Sequence, residues 1–266
     1  MLHEGDSAHL DWLNLTLVPM NVTSLNEVWA TILVLVGWLV GWLVGLAGGV
    51  FAFHVRDRVQ QSAALAYLGS ALGVVLAGDL FSLIVFWEIM AIASMALIIN
   101  GGRAGSKAAA MRYLFVHVVG GSLFLAGILW HVGETGSFEF QSFDESVAVW
   151  LMFGWVAINA AVVPLHAWLP DAYPESSSTG MVFLGAFATK TAVYVMMVSF
   201  SGWDILLVLG PLMAVYGAIY AILQNDIRRL LAYHILSQVG FMVTAVGVGG
   251  AVAMEIIADQ AFTHVL

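Results

Sequence analysis

The chain has no cysteine and very little charge. Without cysteine, disulfides, thiolate-held iron–sulfur clusters and cysteine-type zinc sites are excluded within it. Only 9% of its 266 residues are charged and 61% are hydrophobic, whereas a soluble domain carries roughly 25% charged residues. There is no glycine-rich loop of the dinucleotide or P-loop type, so nucleotide or redox chemistry would have to belong to another subunit. The net charge of -9 sits in loops and points to no nucleic-acid partner. The first residues, MLHEGDSAHLDW, lack a basic region followed by an apolar core and are not expected to be a signal peptide. What remains is a polytopic membrane protein with no catalytic chemistry and no cofactor expected of its own residues.

Long apolar runs account for the rest. A polar, acidic segment, 1–27, precedes a first span at about 28–53, in which GWLVGWLVG puts Gly37, Gly41 and Gly45 one turn apart. Such a row lets another helix approach closely, and packing within the chain's own bundle is its ordinary use. Further spans are expected at about 62–78, 80–100, 113–131, 147–163, 181–200, 205–223 and 230–249, with the start of another at 251–266. Asp79, in GDLFS, is expected to cap the helix that follows it. Trp12, Trp130, Trp150 and Trp203 suit the membrane interface.

Three of the five prolines fall between Pro164 and Pro174, with Pro170 between them. Pro164 ends an apolar run and deprives the carbonyl of Ala160 of its helical donor, which in lipid needs another partner. A polar hairpin at Ser176–Thr179 then turns the chain into a run with Lys190 near its middle. An ammonium at that depth costs at least about 2.5–3.5 kcal/mol on insertion scales. Glu88 lies near the middle of its own span, so both charges stand roughly 15 Å deep at 1.5 Å rise per residue. If they face each other, each lowers the other's cost, and the pair could serve as a proton relay or as a static tie between helices. His117 and His166 are further relay candidates, since imidazole takes and gives protons near neutral pH. His264 is another, in the incomplete last helix. His54, His131 and His234 fall at span ends and read as interfacial.

The motifs GDLFSLIVFWEIMAIASMALI, PLHAWLPDAYPESSSTG, FATKTAVYV and QNDIRRLLAYHILSQVGFM resemble the antiporter-like membrane subunits. These are shared by Mrp-type cation/proton antiporters, the D-type subunits in particular, and by respiratory complex I and membrane hydrogenases. The resemblance covers about residues 25–266. It implies an all-α membrane bundle with a proline-broken helix, built from inverted five-helix repeats that each hold a half-channel. It implies one complete repeat at 62–200, with its broken helix at 147–175, and part of a second at 205–266. Glu88 matches the family's key glutamate, Lys190 the lysine of the helix after the break, and His264 the second histidine of an H-x-x-x-H pattern whose first position here is Gln260. Where many members carry a lysine before the break, this chain has Asn159, which puts the usual glutamate–lysine pairing in question. The resemblance also implies about two further N-terminal helices in relatives, and a separate chain continuing the bundle past Leu266.

The function expected is proton conduction through Glu88, Lys190, His117, His166, Asn159 and His264, within a multisubunit antiporter, with H⁺ and either Na⁺ or another cation as cargo. Two alternatives stay open: a proton-translocating member of a redox-driven complex, and a non-conducting scaffold. The partners expected are other membrane subunits and the lipid of a bacterial inner membrane. Every one of the 8 basic residues except Lys190 sorts to one side of the bilayer: Arg56, Arg58, Arg103, Lys107, Arg112, Arg228 and Arg229. The positive-inside rule puts that side in the cytoplasm and the N-terminus outside. Cysteines introduced singly at 56, 103 and 229 are therefore expected to react with impermeant maleimide only from the cytoplasmic face. Labelling at 103 from outside would invert this topology.

Overall fold

The computed structural model describes residues 7–12, 15–21, 58–250, 256, 257 and 260. The first span at 28–53 with its glycine row, His54, Arg56, His264 and most of 251–266 lie outside the described residues. A short antiparallel hairpin, β1 (Ser7–Trp12) with β2 (Leu15–Asn21), lies within the acidic N-terminal segment. Apart from an isolated bridge between Asp79 and Glu139, the other regular elements among the described residues are helical: α1 (Arg58–Leu76), α2 (Leu80–Ile99), α3 (Ser106–Thr135), α4 (Val147–Asn159), α5 (Trp168–Ala172), a 3₁₀ turn at Tyr173–Glu175, α6 (Ser178–Ser199), α7 (Asp204–Ile222) and α8 (Ile227–Val248). Among the described residues, 6 helices are long and apolar enough to cross a membrane: α1, α2, α3, α6, α7 and α8. The architecture is the all-α membrane bundle with a proline-broken helix that the sequence implies.

Helix starts follow the local chemistry. The Asp79 carboxylate accepts from the backbone N–H of Ser82 at 2.6 Å, which confirms its capping role. Ser146 accepts from Val149 N–H at 3.2 Å, Ser177 from Gly180 N–H at 2.9 Å, and Asp226 from Arg228 N–H at 2.8 Å. α3 runs well beyond the span at 113–131, because nothing in SKAAAMR opposes a helix; Lys107 and Arg112 thus stand on its first turns.

The break differs from its expected form. The sequence carries the entering helix to 163, but α4 ends at Asn159. The proline ring at 164 would clash with the carbonyl four residues back, and residue 163 is biased away from helical dihedrals. The chain leaves the helix through Ala161 at φ 55°, a left-handed conformation uncommon for alanine. The orphaned carbonyls find partners nearby. Ala157 C=O accepts from Val162 N–H at 2.8 Å, and Ile158 C=O accepts from Ala161 N–H at 3.0 Å and from the Trp168 indole at 2.8 Å. The hydrocarbon requirement is thus met at Ala157 and Ile158 by backbone and by one tryptophan that re-enters as α5 begins.

α6 occupies the centre. Its residues Phe187–Met197 are all buried, enclosed by α1, α2, α4 and α8. α7 packs almost wholly on α8 and exposes Val208, Leu212, Val215 and Ile219 outward. The α7–α8 contact uses small residues, Gly210, Gly217, Gly240 and Gly247 among them. A β-carbon at Gly240 would collide with the backbone of Gly210 and Ala214. Gly240→Leu should therefore push the helices apart and cost about 1–3 kcal/mol by overpacking. Gly154→Ala, on α4 with nothing within 4 Å of the added carbon, should be neutral or stabilising. Melting temperatures of the purified assemblies check both; equal values would remove the close-approach account of α7 and α8.

Candidate functional site

The basic ends of several helices converge on the turn between the broken helix and α6. Arg112 on α3 makes a two-pronged bond to Asp171, Nε to Oδ2 and Nη2 to Oδ1, each 2.7 Å. Arg103 stands 3.8 Å from the Glu175 carboxylate, and Ser106 Oγ donates to Glu175 C=O at 2.6 Å. Arg228, at the start of α8, donates to Ser176 C=O at 2.7 Å, to Pro174 C=O at 3.4 Å and to Ser178 Oγ at 2.9 Å. From α1, Gln60 donates to Ser177 and Thr179. The turn after the break is thus gripped from α1, α3 and α8. Arg228 reads from sequence as a helix-start charge; its grip on three groups of the turn was not foreseeable from spacing.

Glu88 and Lys190 lie deep in the bundle. Glu88 is eleven residues from the Ile99 end of α2 and Lys190 twelve from the Ser178 end of α6. Measured from the arginine-bearing end these are about 16 and 18 Å, at 1.5 Å per residue. Lys190 is 1% exposed, and its ammonium donates to Gly185 C=O at 2.6 Å. Glu88 is half-buried, and its Oε1 is buried against Gly121 of α3 with no hydrogen-bond partner. The ion pairs among the described residues are Arg103–Glu175 and Arg112–Asp171. The direct Glu88–Lys190 pair contemplated from sequence is not formed: the lysine turns back on its own helix and the carboxylate faces the gap left by a glycine.

His117 is nearest in kind to what the sequence anticipates. It is buried on α3, one turn before Gly121. Its ring stacks on Tyr113 with centroids 3.8 Å apart and meets Trp155 and Trp168 edge-on. Nδ1 is 2.9 Å from Tyr113 C=O; a carbonyl only accepts, so Nδ1 carries the hydrogen and Nε2, buried and unpartnered, is a bare acceptor in the neutral ring. Asn159 ends α4, buried, with its amide donating to Trp155 C=O at 3.1 Å. His166 follows Pro164 and stands apart from this group: its ring packs against Tyr216 of α7 at 4.7 Å. Pro170 is the third residue of α5. His131 packs edge-on against Phe143, and His234 is exposed at the start of α8. No group of three His, Cys, Asp or Glu suited to a metal occurs among the described residues.

Three buried tyrosines were missed. Tyr67 of α1, Tyr113 of α3 and Tyr173 of the 3₁₀ turn are 0%, 2% and 0% exposed. Tyr67 stands inside the span expected at 62–78, which was a signal, but Tyr113 is the first residue of the span expected at 113–131 and is placed deeper only because α3 begins at Ser106.

A bundle of apolar helices, six of them long and apolar enough to cross a membrane among the described residues, with a broken span between two of them, defines a polytopic membrane protein. Residues 77–266 match the family described as NADH:quinone oxidoreductase/Mrp antiporter, TM, and the chain belongs to that family. It is 35% identical over 217 residues to the N-type subunit of NADH-quinone oxidoreductase from Desulforudis audaxviator, covering 73% of this chain and 42% of that one. It is 31% identical over 196 residues to the D-type subunit of the Na(+)/H(+) antiporter from Alkalihalophilus pseudofirmus, covering 66% and 40%. The fold matches a chain of the Mrp complex from a Dietzia species with a TM-score of 0.83 at 24% identity, over 98% of this chain and 52% of that one. The chain thus spans under half the length of these two curated relatives.

Lys190 tests whether buried charge here serves stability. Its ammonium is held by a single carbonyl, and apolar replacement of buried ions is often neutral or stabilising. Lys190→Met should leave the melting temperature of the assembled protein unchanged or raised. A fall comparable to that of a large core truncation, about 2–5 kcal/mol, would make the lysine a structural tie.

Proposed function

We propose that the chain is a membrane subunit that carries protons across part of the bilayer within a multisubunit complex. Glu88, His117 and Lys190 would form its relay, with Asn159 and His166 at the break and His264 further along. One observation carries this reading: a carboxyl and an ammonium are kept at matched depth beside a broken helix, and neither is neutralised by an ion pair. Static ties are neutralised, whereas a relay needs groups that can change protonation in turn. The relatives' names support the class: one belongs to a Na⁺/H⁺ antiporter and one to an NADH-quinone oxidoreductase. In the antiporter form, protons are exchanged for Na⁺ or another cation. The second reading, a proton pump powered by redox chemistry in partner chains, is favoured by the identity to the oxidoreductase relative. Co-purifying chains separate the two.

The proposed setting is a bacterial inner membrane with the arginine-gripped turn on the cytoplasmic side and the N-terminus outside. Residues 62–200 would form one antiporter-like repeat and 205–266 part of a second. Moving one charge through 100 mV is worth about 2.3 kcal/mol, comparable to shifting one buried group by under two pH units, at about 1.4 kcal/mol each. The relay is therefore on the right energy scale to couple to the membrane potential.

Glu88→Gln and Lys190→Ala should each abolish proton flux in vesicles that hold the complete complex, while assembly survives. The double variant should be no worse than either single one, because the residues act in one path. Full flux in Glu88→Gln, or losses that simply add, would show that these residues do not act as one relay.

A further inference from the structure

α6 and α8 begin side by side, at Ser178 and Ile227, and leave a groove between their first turns of about 380 Å³. Met181, Val182 and Ala186 wall it from α6, and Leu231 and Ile235 from α8. Val182 and Leu231 are exposed, so the groove opens to the surroundings of the bundle. Its walls run eight residues inward from Ser178 and seven from Arg228, about 12 and 10 Å at 1.5 Å per residue. That depth fits within one leaflet of a hydrocarbon core about 30 Å thick. Ser178 and Arg228 mark its polar end, and His234, exposed, also lines it. Arg228 spends its bonds on neutral groups: the carbonyls of Pro174 and Ser176 and the hydroxyl of Ser178. These satisfy N–H groups and leave the positive charge in place. Neither ion pair among the described residues includes Arg228. Asp226, two residues away, is turned to the backbone N–H of Arg228 as the cap of α8. The Arg228 Nε–H and the Ser178 O–H donate to no group among the described residues.

We propose that this groove holds an anionic phospholipid, with its phosphate at Arg228 and Ser178 and one acyl chain along Met181, Val182, Leu231 and Ile235. The argument is complementarity at both ends. Guanidinium forms strong, charge-assisted bonds to phosphate oxygens, and two unused donors stand together at the polar end. Basic pockets between membrane helices hold such headgroups. A free phosphate would meet the arginine and leave the apolar walls uncovered. A zwitterionic lipid would cover the walls and bring a second cation to the arginine. A lipid with a net negative head matches both. The topology proposed above assigns it to the cytoplasmic leaflet, while the groove's chemistry is the same in either. Gly185 also lines the groove, and its carbonyl accepts from the Lys190 ammonium. An acyl chain in the groove therefore keeps water from the outer side of the turn that holds the lysine.

The test is photo-cross-linking in the complete complex, with Val182 replaced by p-benzoylphenylalanine, in vesicles of equal parts dioleoylphosphatidylglycerol and dioleoylphosphatidylcholine. The two lipids share their acyl chains and differ in net charge. Mass spectrometry of the cross-linked chain is expected to show phosphatidylglycerol preferred by about fivefold or more, the worth of one basic residue near an anionic lipid surface. Arg228→Gln should bring that ratio to about one, by the loss of the same contribution. Leu231→Trp fills the groove and leaves the bonds of Arg228 to the turn intact, so it decides the matter should Arg228→Gln not assemble. It should reduce the adducts of both lipids. Equal adducts of the two lipids without a further substitution, a preference that survives Arg228→Gln, or undiminished adducts in Leu231→Trp would each overturn the lipid site. Cross-linking to a polypeptide in place of lipid would show the groove to be covered by protein and overturn it as well. None of these outcomes bears on proton flux, so the relay reading stands or falls separately.

Discussion

Every backbone polar group at membrane depth must find a partner inside the protein, and the break between Asn159 and Trp168 is where that demand is hardest to meet. Pro164 stops α4 after only thirteen residues, about 20 Å of helix against a hydrocarbon core of about 30 Å. At Ala157 and Ile158 the chain meets this demand by turning through Ala161, placing two backbone bonds on those carbonyls, and bringing the Trp168 indole back to Ile158 C=O. Trp168 also packs edge-on against Tyr113, His117 and Tyr173. One side chain thus closes the break and walls the polar cluster. The two features depend on each other: an unbroken helix would not bring α5 and Tyr173 to the cluster.

The polar cluster is unusual in how little of it is neutralised locally. Ion pairs among the described residues stand at the surface, on the turn at 171–178. Inside, the carboxyl rests against a glycine and the ammonium against one carbonyl. Exposed pairs contribute little to stability. The Arg112–Asp171 pair, with side chains 58% and 37% exposed, therefore matters for the geometry it sets more than for its energy. Buried charges without counter-charges are costly in a membrane, so the interior bears an expense that packing alone does not require.

Much of this was legible in the sequence. Apolar run lengths gave most helix limits to within four residues, since hydrocarbon thickness leaves little choice of length. Asp79 announced its cap, Glu88 and Lys190 their depth, and Pro164 the break. The early end of α4 was not legible, because a proline constrains the residues before it by an amount that depends on which partners the freed carbonyls find. Nor was the direction of Lys190. A lysine stem is long enough to reach a neighbour's carboxylate or its own helix, and only packing decides between them. The tyrosines were overlooked for a related reason: their rings look apolar in a hydropathy pattern, and only the packing shows that Tyr67, Tyr113 and Tyr173 are buried.

The arginine grip gives the break its mechanical context. Arg228 stands at the start of α8 and holds the backbone of Ser176 and the hydroxyl of Ser178, the residue that begins α6. Gln60 holds the same turn from α1, and Ser106 from α3. α6 carries Lys190 and also the Leu184–Ala188 turn that Tyr67 spans. A shift of α8 along its axis must therefore either strip several hydrogen bonds from the turn or carry α6 with it. Since α6 is buried through its second half and close-packed interiors do not deform continuously, the second course moves the lysine relative to Tyr67 as a unit. The surface contacts at the turn and the buried contacts at the lysine are in this way two ends of one rigid element.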